Sequence, residues 1–366
     1  MRKRMREYGL SIGNLPTGPG NAITDVEGVK VGHVTLIAGE GKLFPGKGPV
    51  RTGVTAIVPH DGNIFREKLI ASCFVGNGFG KSAGLIQVME LGTLETPIIL
   101  TNTLSVGIAS DALVEYMLGL NEDIGVTTGT VNPVVLECND GHLNDIRGRH
   151  VKKEHVFGAI ENAGKIFETG SVGAGTGMIC HGFKGGIGTA SRQIEIGGRA
   201  YTVGALLLTN YGRMEDLIFS GKNVGRMLRE RLRGSVREKN AVEEDRGSCI
   251  VVIATDVPLD AKGLERVAKR GILGLARTGS FMGNGSGDIA LAFSTANKID
   301  HYGEPFINIK TLSSHSDEIN KVFQAAVETV EEAVWDSLFT AERITGRDFH
   351  EVPVLPVEWL LEAVTG

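Results

Sequence analysis

Short apolar runs bounded by glycine and polar residues recur along the chain. Val29 to Leu36, Val54 to Val58, Ile98 to Thr101 and Thr127 to Glu137 predict strands. Ser105 to Met117 predicts a helix with small residues on one face. Val151 to Phe167 has apolar residues at 156, 157, 160, 163 and 166–167, a helical spacing. Ser191 to Ile196 and Arg199 to Thr209 predict a hairpin across Gly197-Gly198. Leu217 to Leu232 is helix-like and strongly basic. The segment Gly234 to Gly247 that follows is polar and charged, with almost nothing apolar.

At Ser248 the character of the chain changes abruptly. Ser248-Cys-Ile-Val-Val-Ile-Ala-Thr255 is a continuous apolar run, as in a strand buried on both faces. Leu264, Val267, Ala268, Ile272 and Leu275 share one face of a helix. Asp288 to Ser294 predicts another strand, and Ile319, Val322, Phe323, Ala326, Val330 and Val334 mark a long amphipathic helix. Strands and helices alternate with neither a regular βαβ repeat nor a break in composition. The pattern predicts one layered α/β unit spanning 1–366, with helices outside stacked sheets.

Composition narrows the function. The 42% apolar and 22% charged residues fit an ordinary globular protein. A net charge of −5 without a basic stripe argues against nucleic acid as a partner. No run reaches the ~18 apolar residues of a membrane span. The charged start, Met1 to Arg6, is followed by a loop and not by the apolar core of a signal peptide. A cytoplasmic protein is therefore expected. Cys73, Cys138, Cys180 and Cys249 form no C-x-x-C pair, and no H-E-x-x-H occurs, so neither a metal nor another cofactor is indicated. Gly76-Asn-Gly-Phe-Gly-Lys-Ser82 lacks the first glycine of a phosphate-binding loop, Val75 standing there.

The candidate chemistry lies at Gly247-Ser248. A solvated loop ends there and a core strand begins, so the serine is held while the bond before it is not. Glycine allows close approach of the hydroxyl to the preceding carbonyl. Attack of the Ser248 hydroxyl on that carbonyl would cut the chain into 1–247 and 248–366. The freed α-amine, with a pKa of ~7.7–8.0, would serve as base for its own hydroxyl. On the residue types alone, a plain turn before a strand is the favoured reading.

Several further stretches carry a resemblance. They are Asn21-Ala-Ile-Thr-Asp-Val-Glu-Gly-Val-Lys-Val-Gly-His33, Thr101-Asn-Thr-Leu-Ser-Val-Gly107, Asn139-Asp-Gly-His-Leu-Asn-Asp145, Gly175-Thr-Gly-Met178, Phe183-Lys-Gly-Gly-Ile-Gly-Thr-Ala-Ser-Arg192, Thr209-Asn-Tyr-Gly212, Arg246-Gly-Ser248 and Gly283-Asn-Gly-Ser-Gly-Asp288. In this order, nearly end to end, the chain resembles the self-cleaving L-aminopeptidase/D-amidase/D-esterases and β-peptidyl aminopeptidases. The resemblance implies a four-layer αββα sandwich, layered like the N-terminal nucleophile hydrolases but connected differently. It also implies a homotetramer of cleaved protomers acting on small peptides or amino-acid amides and esters.

By the same resemblance Ser248 is the nucleophile, and the Asn210 amide stabilises the oxyanion. Ser286 and Asp288 orient the nucleophile and its amine. Asp288 stands where β-peptidyl members carry glutamate, which leans the chain toward the other branch. His142 stands where relatives have tyrosine; as an ordinary imidazole it would titrate near pH ~6.5 and shape the acid limb of the rate profile. Glu137 is a candidate for gripping the substrate's free amine. Each has a plainer reading: a turn residue for Asn210, a cap or Asx-turn for Ser286 and Asp288, a strand end for Glu137, and loop packing for His142. Cys249, alternating to the other face of its strand, reads as core. Two other functions compete. One is an acyltransferase of similar layering, although those begin with threonine; the other is an uncleaved, non-catalytic relative.

Overall fold

The structure, a computed structural model, describes residues 2–232 and 247–365. Its elements, in chain order, are β1 (Lys30–Ala38), β2 (Val50–Val58), β3 (Glu67–Gly78), α1 (Leu85–Leu91), β4 (Thr93–Leu94), β5 (Ile98–Asn102), α2 (Val106–Leu120), β6 (Val134–Cys138) and α3 (Lys153–Glu161). Then come β7 (Ile179–Cys180), β8 (Phe183–Lys184), β9 (Gly186–Ile196), β10 (Arg199–Asn210), β11 (Ile218–Phe219), β12 (Lys222–Asn223) and α4 (Val224–Leu232). Past the undescribed segment lie β13 (Ser248–Thr255), α5 (Ala261–Arg277), β14 (Gly287–Asp300), α6 (Ile319–Thr340) and α7 (Val357–Thr365).

Two mixed sheets carry the fold. One has the order β1-β2-β5-β6, the other β4-β3-β14-β13-β10-β9. Strand alternation sorts their side chains into three apolar layers. Between the sheets, Ile57, Leu100 and Leu136 meet Leu208, Ile250, Val252 and Leu291. On the outer face of the smaller sheet, Val54, Ala56, Ile99 and Val135 pack under Ala109, Leu113 and Val156 of α2 and α3. On the outer face of the larger sheet, Cys249, Val251, Ala290 and Leu207 pack under Leu264, Val267, Val330 and Trp335 of α5 and α6. The order of layers is α, β, β, α.

Several expected boundaries move for local reasons. The strand expected over Thr127 to Glu137 begins only at Val134. Thr127 and Thr128 turn back onto the Asp123 carbonyl, the Asn132 amide goes to Glu95, and Pro133 has no amide to give. The helix expected to reach Phe167 stops at Glu161, because Gly164 exchanges both of its backbone bonds with Val31 of β1. The helix expected from Leu217 starts at Val224, behind the β11–β12 hairpin. The candidate phosphate loop is the end of β3, where the Asn77 amide bonds the Gly283 and Ser286 carbonyls. Thr103–Leu120 is long and apolar enough, by length and composition, to cross a membrane, where no such run was expected; α2 lies along the smaller sheet with Ala109, Ala112, Leu113 and Met117 buried. The polar segment expected as a loop up to Gly247 falls outside the described residues, except for Gly247 itself.

Helix α6 sits unusually close to β9. A methyl group on Gly188 would lie 1.9 Å from the Ala333 carbonyl oxygen and 2.8 Å from the Ser337 nitrogen. Gly188→Ala should therefore cost about 1–3 kcal/mol, as overpacking does. Gly119→Ala, on the exposed side of α2 where a methyl meets nothing within 4 Å, should instead gain about 0.5–1 kcal/mol. Urea unfolding midpoints check both signs, and equal midpoints would contradict this packing.

Candidate active site

Ser248 opens the strand that sits between β10 and β14. It lies opposite Asn210 in the antiparallel register and opposite Gly287 in the parallel one. Its side chain falls on the inter-sheet face, the face of Ile250. The residue is 6% exposed, and the Gly287 amide donates to its Oγ at 3.2 Å. At Gly247 a Cβ would lie 1.9 Å from the Asn210 carbonyl oxygen and 2.6 Å from the Tyr211 Cα. Glycine is needed here by close approach to the β10 backbone; its φ is outside the left-handed region.

Asn210, the last residue of β10, has both ends of its amide engaged. Oδ1 accepts from the Ile179 amide at 2.9 Å, and Nδ2 donates to the Asn139 carbonyl at 3.1 Å. That uses one of the two N–H groups on Nδ2. The Asn139 carbonyl reaches the larger sheet because β6 ends above the start of β13. There the Cys138 thiol donates to the Ser248 carbonyl at 3.3 Å.

Ser286 and Asp288 flank Gly287. Ser286 is fully buried, and its Oγ has no hydrogen-bond partner among the described residues. Its carbonyl accepts from the Asn77 side chain and from the Phe79 amide. Asp288 is also fully buried and pairs in register with Cys249, so alternation places it on the helix-side face, opposite the Ser248 hydroxyl. Burial, then the charges of Cys138 and Asp288, hold the Cys249 thiol well above its ordinary range, and the residue is core.

Glu137 is 2% exposed, on the face of β6 opposite Cys138. Its carboxylate accepts from the Lys81 amide at 2.8 Å and from the Thr103 hydroxyl. Gly80 lies between this carboxylate and β14: a Cβ there would be 3.6 Å from Glu137 Oε1 and 3.9 Å from the Gly287 Cα.

His142 stacks on His350 with ring centroids 4.5 Å apart, and its carbonyl is bonded by His350 Nδ1 at 2.9 Å. Burial, reinforced by the charges of His350 and Arg347, lowers its pKa to about 4. The expectation of an ordinary imidazole titrating near neutrality is corrected accordingly. Asp140, between Asn139 and Gly141, was not singled out from the sequence. It is fully buried, and burial lifts its carboxyl to about 7 against hydrogen bonds from Thr52 and Asn144. Nothing in a lone Asn-Asp-Gly stretch separates such a carboxyl from a turn residue.

Four layers in αββα order, with a serine behind an obligate glycine at the head of a central strand, define the layout of the N-terminal nucleophile hydrolases. The chain belongs to Peptidase family S58, whose model matches residues 21–352. It is 42% identical over 363 residues to a β-peptidyl aminopeptidase of Sphingosinicella microcystinivorans, covering 96% of this chain and 89% of that one. The crystal structure of the PH0078 protein from Pyrococcus horikoshii OT3 is 58% identical and covers 98% of each chain, with a TM-score of 0.92. The L-aminopeptidase D-Ala-esterase/amidase of Ochrobactrum anthropi, described as a new variant of the Ntn hydrolase fold, is 38% identical, with 99% of each chain covered and a TM-score of 0.89.

A histidine held at a pKa of about 4 is neutral throughout the range where the enzyme would work. A base whose pKa is lowered on folding changes charge only below that value. His142→Tyr should therefore leave the acid limb of kcat/KM above pH ~5 where it was. An acid limb that moves by more than about half a unit would show that His142 titrates near neutrality.

Proposed function

We propose that the chain is an aminopeptidase that cuts itself between Gly247 and Ser248 and then uses Ser248 as an N-terminal nucleophile. The observation that carries this reading is the setting of one bond. The Gly247–Ser248 peptide enters the sheet where the Gly287 amide holds the serine hydroxyl and the Asn210 amide stands opposite in register. In processing, Ser248 Oγ attacks the Gly247 carbonyl carbon, the C–N bond breaks, and an ester forms while the Ser248 nitrogen leaves as an amine. Water then hydrolyses the ester, leaving a carboxylate on Gly247 and restoring the hydroxyl.

The same parts serve turnover. The freed amine takes the hydroxyl proton as Oγ attacks a substrate carbonyl and passes it to the departing amine or alcohol as the scissile bond breaks; water then hydrolyses the acyl ester and restores the hydroxyl. In this reading the second N–H of Asn210 Nδ2 meets the oxyanion, a donor worth ~3–4 kcal/mol in comparable sites. The new amine is a backbone nitrogen and lies between the two faces of the sheet, with Asp288 on one of them. Ser286 Oγ supplies a hydroxyl beside Gly287 for holding that amine or the nucleophile. Glu137 is the anion assigned to the substrate's ammonium, on the lone pairs that Lys81 and Thr103 leave open.

Small peptides, amino-acid amides and esters are the substrates this reading names. Identity of 42% to a β-peptidyl aminopeptidase and 38% to an L-aminopeptidase does not choose a branch, so the lean that Asp288 suggests stays part of the proposal. A homotetramer of cleaved protomers in the cytoplasm belongs to the same reading.

Ser248→Ala should persist as a single uncut chain and hydrolyse nothing. A normal nick in that variant, seen by mass spectrometry, would exclude the mechanism. N-acetylation of an otherwise good substrate should abolish its cleavage; equal rates for the acetylated and free forms would point to an endo-acting amidase instead.

A further inference from the structure

Lys184 ends β8 with no exposed surface. Its ammonium donates to three backbone carbonyls: Gly175 at 3.0 Å, Met178 at 2.9 Å and Gly185 at 2.7 Å. Among the described residues it forms no ion pair, and the titratable side chain facing it is the Cys180 thiol. Burial without a carboxylate lowers the Lys184 pKa to about 7, while three carbonyl acceptors call for the three N–H donors of the charged form. Three carbonyls in one turn account for its solvation, but they do not explain why the turn is built around a charge.

The next bonds suggest what the charge does. The Met178 carbonyl and the Ile179 amide are the two ends of one peptide group. Lys184 Nζ bonds the carbonyl end, and the amide end donates to Asn210 Oδ1 at 2.9 Å. The Asn210 amide is itself a conjugated group, whose other end, Nδ2, donates at the site. Electron density drawn toward the ammonium at the first carbonyl makes the Ile179 N–H a stronger donor. That in turn draws density from Asn210 Oδ1 and strengthens its Nδ2–H groups. Chains of hydrogen bonds polarise one another in this way, most of all away from water. The turn is also stiff: a Cβ on Gly175 would lie 2.6 Å from the Ile187 nitrogen, and one on Gly185 2.7 Å from the Cys180 Cβ.

We infer that Lys184 is a positioning residue for the transition state, its charge relayed through the Met178–Ile179 peptide to orient and polarise the Asn210 amide. The inference rests on the reading of Asn210 as the oxyanion donor. It requires that Lys184 matter only where negative charge develops, so kcat should suffer and KM should not.

A double-mutant cycle on an amino-acid anilide below pH 7, where Lys184 carries its charge, tests it, using Lys184→Met, Asn210→Ala and the two combined. Lys184→Met should lower kcat by about tenfold or more with KM within about twofold, and by less than about twofold once Asn210 is alanine. For variants that accumulate uncut, the rate of self-cleavage is read in the same cycle. An undiminished effect of Lys184→Met in the Asn210→Ala background would make the lysine a structural residue and overturn the inference. If Asn210→Ala alone leaves kcat within about threefold, the reading of Asn210 fails and takes the inference with it. Should Lys184→Met not fold, Lys184→Gln takes its place, keeping two donors without the charge. Failure of both to fold would assign Lys184 to the turn alone and likewise overturn the inference.

Discussion

Strand β13 is paired along both edges and buried on both faces, and this confinement governs the site. Its eight residues are all buried, between β10 on one side and β14 on the other. A strand so enclosed has no register to slip into, because a one-residue shift would exchange its inter-sheet and helix-side residues. Ser248 inherits that rigidity as its first residue. The bond before it is restricted in another way: Gly247 must pass against the Asn210 carbonyl. Ser248 is thus held by the whole sandwich, and among the described residues Gly247 sets how the preceding peptide enters it.

Around this point lie buried polar groups whose energetics come from being dry. Asp140 is lifted to about 7 and Lys184 lowered to about 7, in both cases mainly by burial. Low local polarisability strengthens each hydrogen bond these groups make and penalises each one left unmade. The outer shell is built the same way. Arg192, fully buried, bonds Glu328 and Glu332 of α6, and Arg6 and Arg4 reach Glu332 and Asp336 from the N-terminal segment. The Arg192 pairs tie α6 to β9, those of Arg4 and Arg6 tie the N-terminal segment to α6, and β9 lies against β10, which carries Asn210.

The parts of this arrangement that depend on local pattern were legible in the sequence. The apolar run of β13 and the second strand of the hairpin at Gly197-Gly198 match their elements to within a residue, because a doubly buried strand and a two-glycine turn leave clear signatures; β9 begins at Gly186, five residues before the expected Ser191. Strand β3 was not among the expected elements: its apolar run, Leu69 to Val75, is interrupted by Ser72 and preceded by the charged Arg66-Glu-Lys68. Helix α6 reads as amphipathic, yet Glu328, Glu331, Glu332 and Asp336 are as buried as its apolar face. Acids that look like a solvated stripe were paired with arginines far away in sequence, and spacing cannot show that. The relay from Lys184 was hidden for the same reason. It passes through a backbone peptide, and no side-chain pattern records which carbonyl a lysine meets. Ser248, Asn210 and the Ser286–Asp288 loop were named together only because several motifs stood in one familiar order; the register of β10, β13 and β14 supplies the physical reason for their proximity.

The central claim is that the chain is cut at one bond and that the cut creates the working group. Intact-mass measurement of the purified wild-type protein under denaturing conditions tests it most directly. The account predicts two chains, 1–247 and 248–366, the second beginning with a free serine amine. A single chain of full-length mass in a preparation that hydrolyses amino-acid amides would contradict it.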